Sequence, residues 1–306
     1  MSTLVIGSSN TDMIINLARI PVPGETVLGG EFSMAAGGKG ANQAVAAARA
    51  GGDVKFLCCL GEDTFGEQAL NGFRAEGMDV SSVKRVTEVA SGVALIFVEQ
   101  TGENSIAVAS GSNDQLMPAD IAKNEEFFAQ ATMVLVQLET PLETVEAILD
   151  LAAKNQTPVI LNPAPAQKLD DRSLAKVSIL TPNETEAEIL TGIPVTDEAS
   201  AKLAAEALRA KSIETVIITM GPAGAFVCSD SIAEIVPSFQ VDAADSTAAG
   251  DTFNGFLATC LAEGMPLLET VRLANAAAAM SVTIRGAQPS VPKRKMVEQF
   301  IQTREE

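Results

Sequence analysis

Along the chain, short runs of β-branched and other apolar residues take turns with stretches in which apolar positions recur every three or four residues. Residues 4–7, 54–60, 133–138, 159–161, 178–180 and 216–219 show no polar alternation, the pattern of strands covered on both faces. Between them, the 3.6-residue period predicts helices over residues 41–50, 64–76, 142–154, 183–191 and 197–211, several closed by a glycine such as Gly51, Gly77 or Gly192. Repeated strand–helix order implies an α/β fold: a mainly parallel sheet sandwiched by helices, Rossmann-like in its winding, with ligands expected at the carboxyl ends of the strands.

Two stretches break that order. Residues 12–32 alternate weakly around Pro21, Pro23 and Gly24, and the runs 92–98 and 105–109 flank Gln100-Thr101-Gly102-Glu103, a good hairpin turn. Both read as strands of a small separate sheet. Because they interrupt the strand–helix series, they are expected to form a lid from inserted segments at about 12–36 and 91–110, within a single domain spanning residues 1–306. The sequence carries no internal repeat, low-complexity segment or charged tail.

The most informative run is Asp245-Ser246-Thr247-Ala248-Ala249-Gly250-Asp251. After it, Phe253, Phe256, Leu257, Cys260 and Leu261 fall at helical spacing and Gly264 follows as a stop, so the run is the N-terminus of a buried helix. Such an end offers unpaired N–H groups and the positive pole of the dipole, and Ala-Ala-Gly lets a phosphate approach them. Asp251 then either caps the helix or takes the proton of a hydroxyl attacking that phosphate.

Composition narrows the chemistry. The chain has 306 residues, 47% of them hydrophobic, as a folded protein with a sizeable core requires. With 21 Lys and Arg against 39 Asp and Glu, the net charge of −18 opposes binding to nucleic acid or an anionic membrane. A polyanionic ligand must be held by local amides, a few cations or a metal. The absence of histidine excludes Ser-His-Asp triads, Cys-His dyads and His-ligated zinc, leaving proton transfer to Asp, Glu, Lys or Cys. Cys58, Cys59, Cys228 and Cys260 show no CxxC spacing and read as buried free thiols of a reducing compartment. With no basic leader and no apolar run of bilayer length, the protein is expected to be soluble and cytoplasmic.

Other candidates lie where strands end. Ala36-Gly37-Gly38-Lys39-Gly40-Ala41-Asn42-Gln43 lacks the hydroxyl residue of a Walker A loop and the third glycine of a dinucleotide fingerprint. Its glycines, with Lys39 and Asn42 as donors, suit a compact polar ligand such as a sugar, or else form an ordinary turn before a helix. Asn10 and Asp12, two apart, share one side of an extended segment and either grip vicinal hydroxyls or make an Asx turn. Glu139 follows a strand and precedes Pro141, where an acidic residue also suits a helix start. In Thr181-Pro182-Asn183-Glu184-Thr185-Glu186, the carboxylates and Asn183 either cap a helix or hold a hydrated magnesium ion. Thr219-Met220-Gly221-Pro222-Ala223-Gly224 is a plain turn or a close approach for a flat or phosphorylated ligand.

Taken in order, Gly37-Gly38-Lys39-Gly40-Ala41-Asn42, Asn162-Pro163-Ala164-Pro165, Thr181-Pro182-Asn183-Glu184-Thr185-Glu186 and Ala248-Ala249-Gly250-Asp251-Thr252-Phe253 resemble the ribokinase-like (PfkB) carbohydrate kinases. The likeness runs from the first strand to about Pro292, and Gly286-Ala287-Gln288-Pro289-Ser290-Val291-Pro292 narrows it to the branch acting on D-ribose. The resemblance implies a ribokinase-like α/β domain whose β-sheet lid also forms a dimer clasp, hence a homodimer. It implies that Asn10, Asp12, Gly38, Lys39, Asn42 and Glu139 bind the sugar, that Asp251 is the base, and that the amides of Ala248, Ala249 and Gly250 form an anion hole. Asn183, Thr219, Gly221, Gly224, Gly250 and Asn275 would line the ATP site, with Glu186 organising Mg2+ through water. Asp245, Thr247, Ser281, Ile284, Gly286 and Ser290 would surround an activating K+, several through backbone carbonyls. Asn275 stands where members of this branch can have histidine, and Thr247 is variable in kind.

The implied activity is ATP-dependent phosphorylation of the 5-hydroxyl of D-ribose. One alternative is another kinase of the family, acting on deoxyribose, fructose or a nucleoside such as adenosine; a nucleoside would want aromatic stacking partners, yet the chain has no Trp or Tyr and 12 Phe. Another is a non-catalytic sugar-binding protein on the same scaffold, which would need neither base nor magnesium carboxylate.

Overall fold

The computed structural model describes residues 2–101 and 103–305, Glu305 by its backbone alone. In chain order the strands are β1 (Ser2–Ile6), β2 (Asn10–Leu17), β3 (Glu31–Gly37), β4 (Asp53–Leu57), β5 (Cys59–Gly61), β6 (Lys84–Val86), β7 (Gly92–Glu99), β8 (Asn104–Ala109), β9 (Met133–Val136), β10 (Val159–Leu161), β11 (Ile179–Leu180), β12 (Thr215–Thr219), β13 (Ala225–Cys228) and β14 (Ala233–Val236). Among the described residues, eight of them form one sheet in the order β14-β13-β12-β11-β10-β9-β1-β4. From β12 to β4 every pairing is parallel; β13 and β14 add an antiparallel edge.

The strand cores are apolar on both sides because each face meets its own layer of helices. Along β1, Val5 packs into a cluster with the helices Lys39–Arg49, Ala249–Ala262 and Leu267–Ser281, whereas Leu4 and Ile6 point to a second cluster with the helices Leu142–Asn155 and Glu198–Arg209. Strand alternation thus feeds two cores from one segment.

The predicted helices form within one or two residues of the expected bounds, as do five of the six strands. The run 54–60 is an exception. It breaks at Cys58, whose carbonyl accepts from Lys84 N–H at 2.9 Å; β4 stays in the main sheet beside β1, while β5 leaves it to pair with β6. The antiparallel hairpin of β13 and β14 was not expected from the pattern, since Ala-Phe-Val-Cys is buried throughout and lacks the alternation that marks a hairpin strand.

The smaller sheet has the order β3-β2-β7-β8, with β2 and β7 parallel and the other pairs antiparallel. It springs from the carboxyl end of the main sheet, because β2 starts at Asn10 shortly after β1 ends at Ile6. Of the expected hairpin turn between β7 and β8, Gly102 lies outside the described residues; Glu99 N–H donates to the Glu103 carbonyl at 2.9 Å. The chain returns from β3 through Gly38, which has φ of 88° and would place a Cβ 2.7 Å from the Asn10 nitrogen. Only glycine permits that approach. The glycine run therefore folds against the end of β1 and β2, and so delivers Lys39 and Asn42 beside Asn10 and Asp12.

Candidate active site

The helix Ala249–Ala262 starts without a side-chain cap: Ala248 occupies the cap position with φ of 60°, and Thr252 N–H returns to its carbonyl at 2.8 Å. Ala249 N–H reaches the Ser246 carbonyl at 3.3 Å, while the following amides of the first turn have no acceptor within the helix. Asp251 does not cap this helix. Its carboxylate, 6% exposed, instead accepts from two residues of the Lys39–Arg49 helix: Asn42 Nδ2 to Oδ2 at 3.0 Å and Gln43 Nε2 to Oδ1 at 2.9 Å.

In front of this helix end lies a pocket of about 180 Å³, bounded by Ala248, Ala249, Gly250 and Asp251 on one side and by Lys39, Asn183, Glu186 and Thr219 on the other. It sits where β10, β11 and β12 end, as expected for a parallel sheet. Asn183 and Glu186 answer both readings of their segment. They form a capping box, with Asn183 Oδ1 accepting from Glu186 N–H at 2.8 Å and Glu186 Oε2 from Asn183 N–H at 2.9 Å, and they also line the pocket. Burial raises the Glu186 pKa, with Asp251 adding to the effect and the Asn183 N–H and Lys39 opposing it.

A second group of polar side chains converges beside Asp251. Asn10 and Asp12 lie on one face of β2, in strand rather than in an Asx turn. Burial pushes Asp12 up to about 6, and the neighbouring charges of Glu139 and Asp251 push the same way. Glu139 Oε2 accepts from Ser8 Oγ at 2.6 Å and from Lys39 N–H at 2.9 Å, tying the end of β1 to the start of the next helix. Burial acts to lower the Lys39 pKa, but Asp251, Glu139 and Glu186 outweigh it and hold the ammonium charged. Asn42, having donated to Asp251, keeps a buried Oδ1 with no partner among the described residues, an acceptor suited to a ligand hydroxyl.

The remaining expected residues lie further out. Gly221 and Gly224 bracket a single 3-10 turn between β12 and β13; a Cβ at Gly224 would fall 2.2 Å from the Val236 carbonyl oxygen, so that glycine serves the chain's own packing. Asn275 is buried and donates to the Val236 carbonyl at 2.9 Å, bracing the edge strand rather than lining the pocket. Asp245 Oδ1 accepts from Thr247 N–H at 2.9 Å and Thr247 Oγ1 at 2.6 Å, and its Oδ2 accepts from Gly286 N–H at 2.9 Å. Burial works against this charge, but those donors hold the Asp245 pKa below the usual range. Ser281 and Ser290 donate locally to the Ala278 and Ala287 carbonyls, and Ile284 is half exposed, at 50%.

Sequence reasoning passed over the amides that complete the site. Gln43 and Asn162 sit inside the motifs without a chemical signal of their own, and Gln137 and Asn113 carry none at all. Yet Gln43 holds Asp251, and Asn113 Nδ2 donates to Asn10 Oδ1 at 2.8 Å, which leaves the Asn10 amide N–H groups to face elsewhere.

Known proteins share this architecture. The family described as pfkB family carbohydrate kinase matches residues 2–294. A protein of Haemophilus influenzae named ribokinase is 47% identical over 97% of each chain. A solved ribokinase of Thermotoga maritima superposes with a TM-score of 0.90 at 36% identity, covering 98% of this chain and 99% of its own. The Arabidopsis thaliana ribokinase, solved in complex with ribose and ATP, gives a TM-score of 0.90 at 32% identity over 98% of both chains. The fold, the pocket at the strand ends and the family match converge on one conclusion: the chain belongs to the pfkB family of carbohydrate kinases and is a sugar kinase.

Proposed function

We propose that the enzyme transfers the γ-phosphoryl group of ATP to the 5-hydroxyl of D-ribose. The observation that carries this reading is the position of Asp251, a buried carboxylate in the first turn of an uncapped helix, between a pocket holding Lys39 and Glu186 and the polar group of Asn10, Asp12, Asn42 and Glu139. Similarity to ribokinases across nearly the whole chain supports ribose as the acceptor.

In this mechanism Asp12, Glu139 and the free Oδ1 of Asn42 accept hydrogen bonds from the sugar hydroxyls, Asn10 donates to them, and the backbone at Gly38 lies against the ring. Asp251 takes the proton of the 5-hydroxyl as its oxygen attacks in line. Charge developing on the transferred group meets the amides of the Ala248-Ala249-Gly250 turn and the Lys39 ammonium. Asn183 and Thr219 border the nucleotide side, with Gly221 and Gly224 shaping the turn that follows Thr219 and Asn275 holding the edge strand behind it. Glu186 would hold Mg2+ through water: one partly buried carboxylate, in a protein with no cluster of three His, Cys, Asp or Glu among the described residues, fits an ion that keeps its waters and leans on substrate phosphates. Bound there, the ion would neutralise phosphate charge. Asp245, hydrogen-bonded to Thr247 and Gly286, would belong to a K+ site bordering the helix start, and the family resemblance adds Ser281, Ile284 and Ser290 to it. The small sheet would act as the lid of a single domain and as the contact of a homodimer in the cytoplasm.

ADP release measured across D-ribose, deoxyribose, fructose and adenosine tests the reading. Ribose should give the highest kcat/KM, with little ADP formed when sugar is absent. A better turnover of deoxyribose or fructose would reassign the acceptor, and ADP release independent of sugar would remove the kinase mechanism.

A further inference from the structure

The mechanism above leaves Gln43 without a task, although its side chain is fully buried against Asp251. Gln43 Nε2 donates to Asp251 Oδ1 and to Asn162 Oδ1, both at 2.9 Å, and Gln43 Oε1 accepts from Gln137 Nε2 at 2.6 Å. A primary amide has two N–H donors, and both are engaged. Turned over, the amide would set its oxygen against two acceptors, so its orientation is fixed by the bonds themselves. The chain continues: Asn162 Nδ2 donates to the Thr181 carbonyl at 3.0 Å, Thr181 Oγ1 to Asn254 Oδ1 at 2.6 Å, and Asn254 Nδ2 to the Gly250 carbonyl at 2.8 Å. A line of buried amides and one hydroxyl therefore starts just past β9 and ends on both the side chain of Asp251 and the backbone of Gly250. Leu or Met would fill this space; apart from Gln137 Oε1, which has no partner among the described residues, the side-chain polar atoms of the line are bonded, so the network specifies orientation rather than packing.

We propose that Gln43 is a positioning residue for phosphoryl transfer, locking the plane of the Asp251 carboxylate together with Asn42 so that its remaining lone pairs face the sugar hydroxyl. One donor on each oxygen, both from consecutive residues of one helix, removes rotation about the last side-chain torsion. With Asn42 alone the carboxylate keeps one pivot and can turn. The proposal rests on Asp251 being the base, and a misaimed base lowers the rate of transfer more than it lowers sugar affinity.

Kinetics of Gln43→Met, Asp251→Asn and the double variant test it, with Gln137→Met as the milder probe. Gln43→Met keeps the volume and removes both donors. It should lower kcat about 10–100-fold, taking as a guide the scale found when outer hydrogen-bond partners of metal ligands are removed, while KM for sugar changes less than about threefold. Gln137→Met removes only the brace on Oε1 and should lower kcat about threefold. Because Gln43 acts through Asp251, adding Gln43→Met to Asp251→Asn should cause no further loss, whereas a merely structural role multiplies the two losses. Full kcat in Gln43→Met beside an inactive Asp251→Asn overturns the positioning role and leaves the base in place. Near-normal kcat in Asp251→Asn removes the base and the positioning role with it. Should Gln43→Met not fold, the same cycle with Gln137→Met decides the matter, and multiplying losses overturn the proposal.

Discussion

Asp12 holds a charge where neighbouring charge opposes it. Burial, then Glu139 and Asp251, raise its pKa from 3.8 to about 6. The folded protein keeps the Asp12 proton up to about that pH, while the unfolded chain releases it near the ordinary value. Stability therefore falls as pH rises through this window, and the full cost is present above it. Asp12→Asn should raise stability at pH 7 by about 1–3 kcal/mol, seen as a higher melting temperature, and should weaken sugar binding because the acceptor is lost. Below about pH 6 the wild-type KM for ribose should rise by up to about tenfold per pH unit as Asp12 takes its proton, and the Asn variant should lack that limb. A flat wild-type KM between pH 5 and 8 would contradict the role. At this scale the charged residues could be picked out as candidates because they follow strand ends. Each also had a structural reading as a turn or helix start, and it is the fold that brings Asp12, Lys39 and Glu139 together beside Asp251. Gln43, Gln137 and Asn113 could not be picked out: an amide in an Ala-rich helix or after a strand looks neutral, and its partners lie 208, 94 and 103 residues away.

At the scale of the element, the start of the Ala249–Ala262 helix combines two demands. It is buried from Asp251 to Cys260, so it cannot shift, yet its first turn is open to the pocket. At Gly250 a Cβ would meet no atom within 4 Å, so nothing in the fold itself requires glycine there. Gly250→Ala should hold or raise the melting temperature, since alanine gains roughly 0.5–1 kcal/mol over glycine in a helix. The same methyl would stand where the phosphoryl group approaches the amides, and a displacement of that size should lower kcat about 10²-fold. Loss of stability together with activity would mean that Gly250 serves packing instead. The loop before the helix makes a second prediction. Asp245 and Gly286 join the two loops by a hydrogen bond, so the proposed cation would act on the helix start through Thr247 and Ala248. Replacing K+ by Na+ should reduce kcat and leave the melting curve almost unchanged; equal rates in both salts would remove K+ from the mechanism.

For the whole molecule, hydrophobic period and strand–helix order were enough to read the parallel sheet, because a strand buried on both faces and a helix buried on one have distinct patterns. The antiparallel edge escaped because β13 and β14 carry no periodicity of their own, and the break at Cys58 escaped because it depends on β6, 26 residues further on at Lys84. Pairing also fixes what the small sheet presents on each side. Met34, Met13 and Leu95 sit opposite one another across β3, β2 and β7, and with Phe32 they form the face turned away from Asp12; Phe32 is 60% exposed, Met34 51% and Leu95 47%. Val108 pairs with Ala94, and Ala94 with Asp12, so Val108 lies on the face that carries Asp12. A soluble monomer seldom exposes contiguous apolar side chains of this size, and the proposed homodimer would cover the Met34 and Leu95 face. Leu95→Glu should therefore convert a dimer to a monomer in sedimentation, with KM for sugar rising if the second copy steadies the lid. Val108→Glu, on the opposite face, should leave the dimer intact and disturb only sugar affinity. A wild-type protein that sediments as a monomer would remove the clasp, and a dimer lost in Val108→Glu but kept in Leu95→Glu would move the contact to the inner face of the lid.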